Sequence, residues 1–542
     1  MFHQPKLLIK TVLIALTTAL LAIVLASVTT GNTDLMSIRV WTAPSLEKIA
    51  LDAPPGEESD IQLTAARGEI ESFQIAIQAL ADNVQPLTVE VSDLASKNGD
   101  KISQKQITLY RQHYVYVPQG SPEAWKENPP QGAGWYPDGL IPFTDPQTGK
   151  DLEGAELDAV PFVPEVSRNQ PIWVDIEVPR GAAAGEYQGT YTVKSQRGKV
   201  TGNISLKVWD FALPTTPSLK SAILFKGKKY PQLQAELLQH KMMPKWVDPA
   251  LSQEYAEELG LNAVRMPYWS GGNVHTCEMK PAPPVAELKQ IVDSFPSEVT
   301  RYVFSADEIH KCQNLEEPLK EWARAVRAAG AKHLIVTIPR PELYDDGSGT
   351  GRSVADIWVV KPTMYEEAPE NIAEVLAKGD EVWFYTGLKG SHSPKWLLDY
   401  PPIDFRIPQG FISQSLDLTG MLYWKADYWT TEDPWTDITT HFRNNGARAY
   451  PGDGMLLYPG EKVGVAGVVP SLRMKWIRDG VEDYEYVQIL KELGEREWAL
   501  SMSRSIGADW KNWTKDPQEL LAVRTAMGEK IQEVMQQSAA SQ

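Results

Sequence analysis

Cysteine and histidine are scarce in this chain, with 2 and 8 in 542 residues. No grouping of His, Cys, Asp or Glu has the spacing of a metal site, so neither a metal nor another cofactor is expected. No glycine-rich phosphate loop follows the first apolar run of the chain's second half, which removes the dinucleotide fingerprint. Basic residues are outnumbered, 53 Lys and Arg against 70 Asp and Glu, for a net charge of −17. A phosphate backbone is held by clustered Lys and Arg, so no nucleic-acid partner is expected. There is no internal repeat and no low-complexity linker.

Aromatic side chains are plentiful instead, with 18 Trp and 20 Tyr. Flat apolar rings suit the C–H faces of pyranoses, although large β-rich proteins also fill their cores with Trp. The N-terminus is the one long apolar stretch. Lys6 and Lys10 precede an uncharged run from Thr11 to Thr33 whose centre, Val12 to Val28, is apolar. This reads as a secretory signal or a single-pass membrane anchor over residues 1–34, with its start kept cytoplasmic by the lysines. No Ala-x-Ala cleavage site and no lipid-anchor Cys follow it. The expected location is outside the cytoplasm: periplasmic, extracellular or membrane-anchored facing outward. There, Cys277 and Cys312 form either a disulfide or two separate thiols.

Residues 35–213 read as a β-sandwich. Phe73, Ile75, Ile77 and Ala79 alternate with Ser72, Gln74, Ala76 and Gln78, and Ile172, Val174, Ile176 and Val178 alternate with Trp173, Asp175 and Glu177. Such alternation marks half-buried strands. The long excursion from Pro118 to Pro164 is rich in Pro, Gly and Asp; its Trp135-Tyr136-Pro137-Asp138 stretch is expected to dock on the next domain. Phe211-Ala-Leu-Pro-Thr-Thr-Pro217 then reads as a boundary.

From residue 219 to 495, short apolar runs alternate with helical patterns, as a (β/α)₈ TIM-type barrel requires. Eight strands are expected, over 221–225, 262–266, 301–304, 333–338, 356–360, 381–386, 420–424 and 455–458. Helices are expected over 249–259, 315–329 and 367–377, the first with Asp248 as N-cap and Gly260 past its end. A doubly wound sheet is the alternative. Amphipathic helices follow over 470–493 and 517–535, and residues 496–542 form a helical C-terminal extension.

The run Arg301-Tyr-Val-Phe-Ser-Ala-Asp307-Glu308 carries the chemistry. An apolar strand stops at two adjacent carboxylates, the point in a barrel where active sites lie. Neighbouring residues on an extended chain point apart. The two acids are therefore poorly placed to flank one sugar carbon at about 5 Å, as an ordinary retaining pair does. They suit substrate assistance, in which one acid protonates the leaving oxygen and the other orients a 2-acetamido group that is itself the nucleophile. Glu308 would then be held protonated and Asp307 ionised. Tyr385, Trp358 and Trp424 fall near expected strand ends, Asp427 and Trp429 follow on a loop, and His310 sits just past the pair. Each is a candidate sugar contact, and each has an ordinary structural reading as core aromatic, turn acid or solvated imidazole. The Arg478-Asp-Gly-Val-Glu482 stretch reads as structural, with Arg478 and Glu482 paired one helical turn apart and Gly480 allowing close packing.

Three stretches appear in order: Ala66-Arg-Gly-Glu-Ile-Glu-Ser-Phe-Gln74, Trp173-Val-Asp-Ile-Glu-Val-Pro179 and Arg478-Asp-Gly-Val-Glu-Asp-Tyr-Glu-Tyr486. Together they resemble glycoside hydrolase family 123 and its relatives catalogued as a domain of unknown function. The resemblance covers nearly all the chain after the leader. It implies a β-sandwich before a catalytic barrel and an exo-acting β-N-acetylgalactosaminidase working by substrate assistance. It also implies Glu308 as general acid/base and Asp307 as the residue steering the acetamido group. The partner expected on this reading is an oligosaccharide or glycoconjugate. The alternatives are a non-catalytic carbohydrate-binding or envelope scaffold on the same fold, and a glycosidase for sugars without the acetamido group.

Overall fold

The structure is a computed structural model that describes residues 37–122, 128–152, 154–226, 232–388, 392–441 and 449–540. The leader read over residues 1–34 lies outside the described residues. Among those described, no helix is long and apolar enough to cross a membrane.

Two sheets form the N-terminal part. One places Ile38–Pro44, Ile70–Ala79, Asn169–Glu177, Ile107–Val117 and Gly134–Pro142 side by side, all antiparallel. The other centres on the Gly185–Ser195 and Gly198–Ala212 hairpin, flanked by Ile61–Arg67 and by Leu94–Ser96. Ile75, Ile77, Ile172 and Val174 from the first meet Leu63, Tyr191, Ile204 and Leu206 from the second in one core.

The alternation read from the sequence is there, but the face expected to meet solvent does not. Ser72, Gln74, Trp173 and Asp175 are all buried. Gln74 is bonded to Pro44 O and Glu47 O. Ser72 and Asp175 meet the helix Leu472–Glu492, which buries Arg473, Lys475, Arg478, Asp479, Glu482, Asp483 and Glu485 along with apolar side chains. Buried charges must be paired, and here the pairs run between sandwich and helix. Lys475 Nζ lies 2.8 Å from Asp175, and Arg478 lies 3.3 Å from the same carboxylate. The Arg478–Glu482 pair is present at 3.9 Å, a longer contact than Arg478 makes with Asp175 or, at 2.8 Å, with Asp479. A Cβ on Gly480 would stand 2.2 Å from the carbonyl oxygen of Arg406. Only glycine lets the helix approach that backbone.

The excursion after Pro118 docks in the same way. Its Gly134–Pro142 stretch is an edge strand, and Asp138 accepts from Arg473 Nε at 2.8 Å and from the Tyr458 hydroxyl at 2.6 Å. Ser121 bonds Asp399 and Asn128 bonds Asp404. Asp138→Ala would strand the fully buried Arg473 guanidinium. It is expected to remove about 3–5 kcal/mol of stability in urea unfolding, and a loss under about 1 kcal/mol would contradict this account of the junction.

The second part is a nearly closed barrel of 7 parallel strands. Around the barrel they run Lys220–Ile223, Gly420–Tyr423, Glu381–Tyr385, Ile357–Val360, Lys332–Val336, Thr300–Asp307 and Ala263–Arg265. The near closure sets aside the doubly wound alternative. The eighth expected strand, at 455–458, is instead the start of an antiparallel hairpin, Leu457–Pro459 with Val468–Pro470. Periodicity identifies an apolar extended run but not its partner. The gap is filled by a segment with no strand signal, because proline breaks it. Ile223 N donates to Met243 O, Lys245 N to Ile223 O and Arg265 N to Lys245 O, each at 2.9 Å. Pro244 sits between the two bonded residues, where its missing N–H is tolerated.

Helices pack outside the barrel. Ser252–Leu259 is entered through a short turn whose Asp248 accepts from Ala250 N at 3.0 Å, and it ends at left-handed Gly260, φ 71°. Glu316–Ala328 and Pro369–Ala377 follow. Arg496–Ile506 and Pro517–Ala540 close the chain, and Arg524 of the latter reaches Glu69 and Glu71 of the sandwich.

Candidate active site

The strand Thr300–Asp307 is buried from Tyr302 to Ala306 and surfaces at its last residue. Its pairing with Lys332–Val336 shifts register between Phe304 and Ala306, a bulge at Ser305. Such bulges re-aim the residues that follow them. The Ser305 hydroxyl is tied to His333 Nε2 at 2.6 Å, wholly inside the barrel wall. Beyond it Glu308 takes left-handed backbone, φ 52° and ψ 37°. A residue with a Cβ is rarely held there, at an order of 1 kcal/mol, and such strain concentrates at functional sites.

Asp307 and Glu308 occupy different environments. Burial, then the neighbouring Glu308 carboxylate, pushes the Asp307 carboxyl up to about 6, against the opposing pull of Lys361 and Arg265. Glu308 is 31% exposed and its Oε1 lies 3.0 Å from Lys361 Nζ, which follows the Ile357–Val360 strand. The carboxyl that burial raises is therefore that of Asp307. Sequence reasoning expected Glu308 in that role.

Tyr385 ends the strand Glu381–Tyr385, and its hydroxyl is pushed well above its ordinary range by burial and by the charges of Asp307, Glu308 and Asp453. It stays a protonated donor. His310 is half-buried, its pKa lowered by burial and by Lys361, and its Nδ1 makes no hydrogen bond. The pair, Lys361, Tyr385 and His310 thus gather at one mouth.

The remaining expected contacts divide. Trp424 lies just past the strand Gly420–Tyr423, and its indole N–H donates to Asp453 Oδ1 at 3.1 Å. Asp453 is buried, and burial raises its carboxyl to about 7. Sequence reasoning missed it because Gly452-Asp453-Gly454 reads as plain turn punctuation; the Trp424 ring passes over Gly454, where a Cβ would stand 2.5 Å from it. Asp427 is buried, its carboxylate taken up by the backbone N–H of Lys226 at 2.8 and 3.1 Å. Trp429 donates its N–H to Leu457 O at 2.8 Å. Both hold the loop together. Trp358 is a correction: it is fully buried, and its indole N–H reaches Asp380 just before the next strand begins, at the end of the barrel away from the acids. Strand alternation turned it towards the helices.

Cys277 and Cys312 are joined in a disulfide, with Cα atoms 5.3 Å apart and a sequence separation of 35. Closing a span of that length contributes about 3–4 kcal/mol on the chain-entropy model. It also anchors the Ile309–Lys311 turn that follows Glu308.

Residues 47–195 match the family model described as the glycoside hydrolase 123 N-terminal domain, and residues 313–490 match the glycoside hydrolase 123 catalytic domain. The second match begins just past the acid pair. A solved family 123 glycoside hydrolase from Clostridium perfringens, described in terms of glycolipid glycan hydrolysis, is similar over 93% of this chain and 99% of its own, with TM-score 0.60 and 13% identity. At that identity the likeness is one of fold. A Parabacteroides merdae β-glucuronidase is similar over 77% of this chain and 50% of its own, with TM-score 0.29 and 10% identity. No curated protein matches the chain in sequence.

Proposed function

This chain belongs to glycoside hydrolase family 123, and on that premise we propose that it removes a terminal β-linked 2-acetamido hexose, of the N-acetylgalactosamine type, with retention and by substrate assistance. The observation that carries the reading is the adjacency of Asp307 and Glu308 at one strand end beside the Tyr385 hydroxyl.

In the first step the substrate's acetamido oxygen attacks the anomeric carbon as the bond to the leaving oxygen breaks. Glu308 gives its proton to that oxygen. Asp307 accepts the acetamido N–H and stabilises the positive charge that develops there, a fixed charge aimed at the transition state. Tyr385 donates to the acetamido oxygen and holds it below the ring. In the second step Glu308 takes a proton from water, which opens the cyclic intermediate at the same face the leaving group left. Two inversions give retention.

Burial raises the Asp307 carboxyl, and Lys361 Nζ lies 3.0 Å from Glu308 Oε1. The incoming N–H favours ionised Asp307 against that burial. The Cys277–Cys312 bridge and the leader with Lys6 and Lys10 support export, since disulfides persist in oxidising compartments.

A thiazoline analogue of N-acetylgalactosamine mimics the cyclised intermediate. It is expected to compete with an aryl N-acetyl-β-galactosaminide and to bind at least about a hundredfold more tightly than the free sugar. Turnover that the thiazoline leaves untouched would sink substrate assistance.

A further inference from the structure

The barrel mouth carries basic side chains on the staves that lead up to the acid strand. Lys425 lies two residues past the strand Gly420–Tyr423, held in line by Leu224 N donating to Tyr423 O and Ala426 N to Leu224 O. Next comes the extended segment ending at Lys245, then Arg265 at the end of Ala263–Arg265, and then Asp307. Lys425, Lys245 and Arg265 therefore crown the approach to the catalytic pair, at the same end of the barrel.

None of the three makes an ion pair among the described residues. The Lys245 ammonium lies 5.1 Å from the Phe225 ring, and the Arg265 guanidinium 4.8 Å from Phe304 and 5.9 Å from Trp269. The nearby carboxylates are Asp427, already bonded to the Lys226 backbone, and Asp307 of the site. Burial, then Lys425 and Arg265, lowers Lys245 to about 8 despite Asp427. Gathering cations without counter-charges opposes folding, all the more notable in a chain of net charge −17, and is sustained where a ligand brings the missing charge. Trp269 adds an apolar platform beside them. It is 42% exposed and stands edge-on to Phe304 at 5.5 Å.

We propose that the glycan accepted at this mouth carries an anion, a sulfate ester or a sugar carboxylate, seated on Lys245, Arg265 and Lys425, with a neighbouring ring against Trp269. This deepens the glycosidase reading and rests on it. A sulfate on the terminal sugar and a uronate in the aglycone present the same charged oxygens, and charge-assisted hydrogen bonds from Arg and Lys suit both.

The test compares kcat/KM for an aryl N-acetyl-β-galactosaminide, the same glycoside bearing a sulfate ester, and a disaccharide with a uronic acid aglycone. At least one anionic substrate is expected to exceed the neutral one by about ten- to a hundredfold. In the Lys245→Gln/Lys425→Gln double variant that ratio is expected to fall to about threefold or less. A preference confined to the sulfate ester places the anion on the terminal sugar; one confined to the uronide places it in the aglycone. Equal rates on all three substrates, or a preference that survives both substitutions, would overturn the proposal. If none is turned over, calorimetric titration with N-acetylgalactosamine and its sulfate ester decides. Binding that needs the sulfate and is lost in the double variant upholds the anion site while the hydrolase reading falls. Equal binding of the two removes the anion site as well.

Discussion

Glu308→Gln is expected to lower kcat on natural glycans by about a hundred- to ten-thousandfold, the usual worth of a general acid. Glutamine keeps the shape but has no proton to give. The loss should depend on the leaving group. Alkoxide-like sugars need protonation, whereas a nitrophenolate departs without it, so activated aryl glycosides should retain much of the first step. Turnover there becomes limited by the second step, for which Glu308 is the base. A burst followed by slow release is the expected time course, and small nucleophiles should rescue it. An equal loss on good and poor leaving groups would remove Glu308 from the acid role. Its contact with Lys361 at 3.0 Å makes a second readout available. Without an anionic partner in the Gln variant, Lys361 has no reason to stay, and the mouth should bind a free carboxylate such as acetate more readily than the parent does.

Asp307→Asn should be as damaging for a different reason. The steering carboxylate carries a charge that the developing oxazolinium needs, and losing such a preorganised group costs about a hundred- to a thousandfold. The defect should not depend on the leaving group, and affinity for the thiazoline should fall with the rate. Its pH signature is separate. Asp307 has its carboxyl raised from the ordinary 3.8 to about 6 by burial and by Glu308. The ionised form is the competent one, so kcat/KM of the parent should fall on the acid side as pH drops below about 6, about tenfold per unit. The Asn variant should lose that limb. A parent profile flat down to about pH 4.5 would contradict the environment described for Asp307.

Stability should move the opposite way. A carboxyl whose folded pKa exceeds its unfolded one binds its proton more tightly when folded, so ionisation weakens the fold as pH rises from about 4 to 6, and the full penalty stands above 6. The shift corresponds to about 2–3 kcal/mol at neutral pH. Asp307→Asn removes most of it and is expected to raise the melting temperature, the sign of a residue kept for chemistry and not for the fold. Should the dependence on leaving group attach to Asp307 and not to Glu308, the two roles exchange.

Much of this was legible in the residues because the periodicities are local. Seven strand runs alternate with helical patterns, and the run that ends in Asp307 and Glu308 is readable as a strand meeting two acids at the barrel's working end. The eighth position was not legible. Met243-Pro244-Lys245 has neither alternation nor length, and only its neighbours' free N–H and C=O groups make it a stave. Trp358 was misplaced because a four-residue strand does not reveal which of its faces looks into the barrel. Asp453 was missed because glycines flank it, and turn chemistry looks the same whether or not the turn lies under a Trp424 ring.

By itself the sequence determined the alternating strands, the acid pair at the end of one of them and the presence of two cysteines, because each of these is written in composition or in a run of a few residues. Tertiary structure alone decided that the polar face of Ile70–Ala79 and Asn169–Glu177 is an interior ion-pair interface, that Lys361 meets Glu308, and that Lys245, Arg265 and Lys425 stand together. Those are encounters between residues tens to hundreds of positions apart. Burial and Coulomb interaction act through space, so no local pattern in the chain records them.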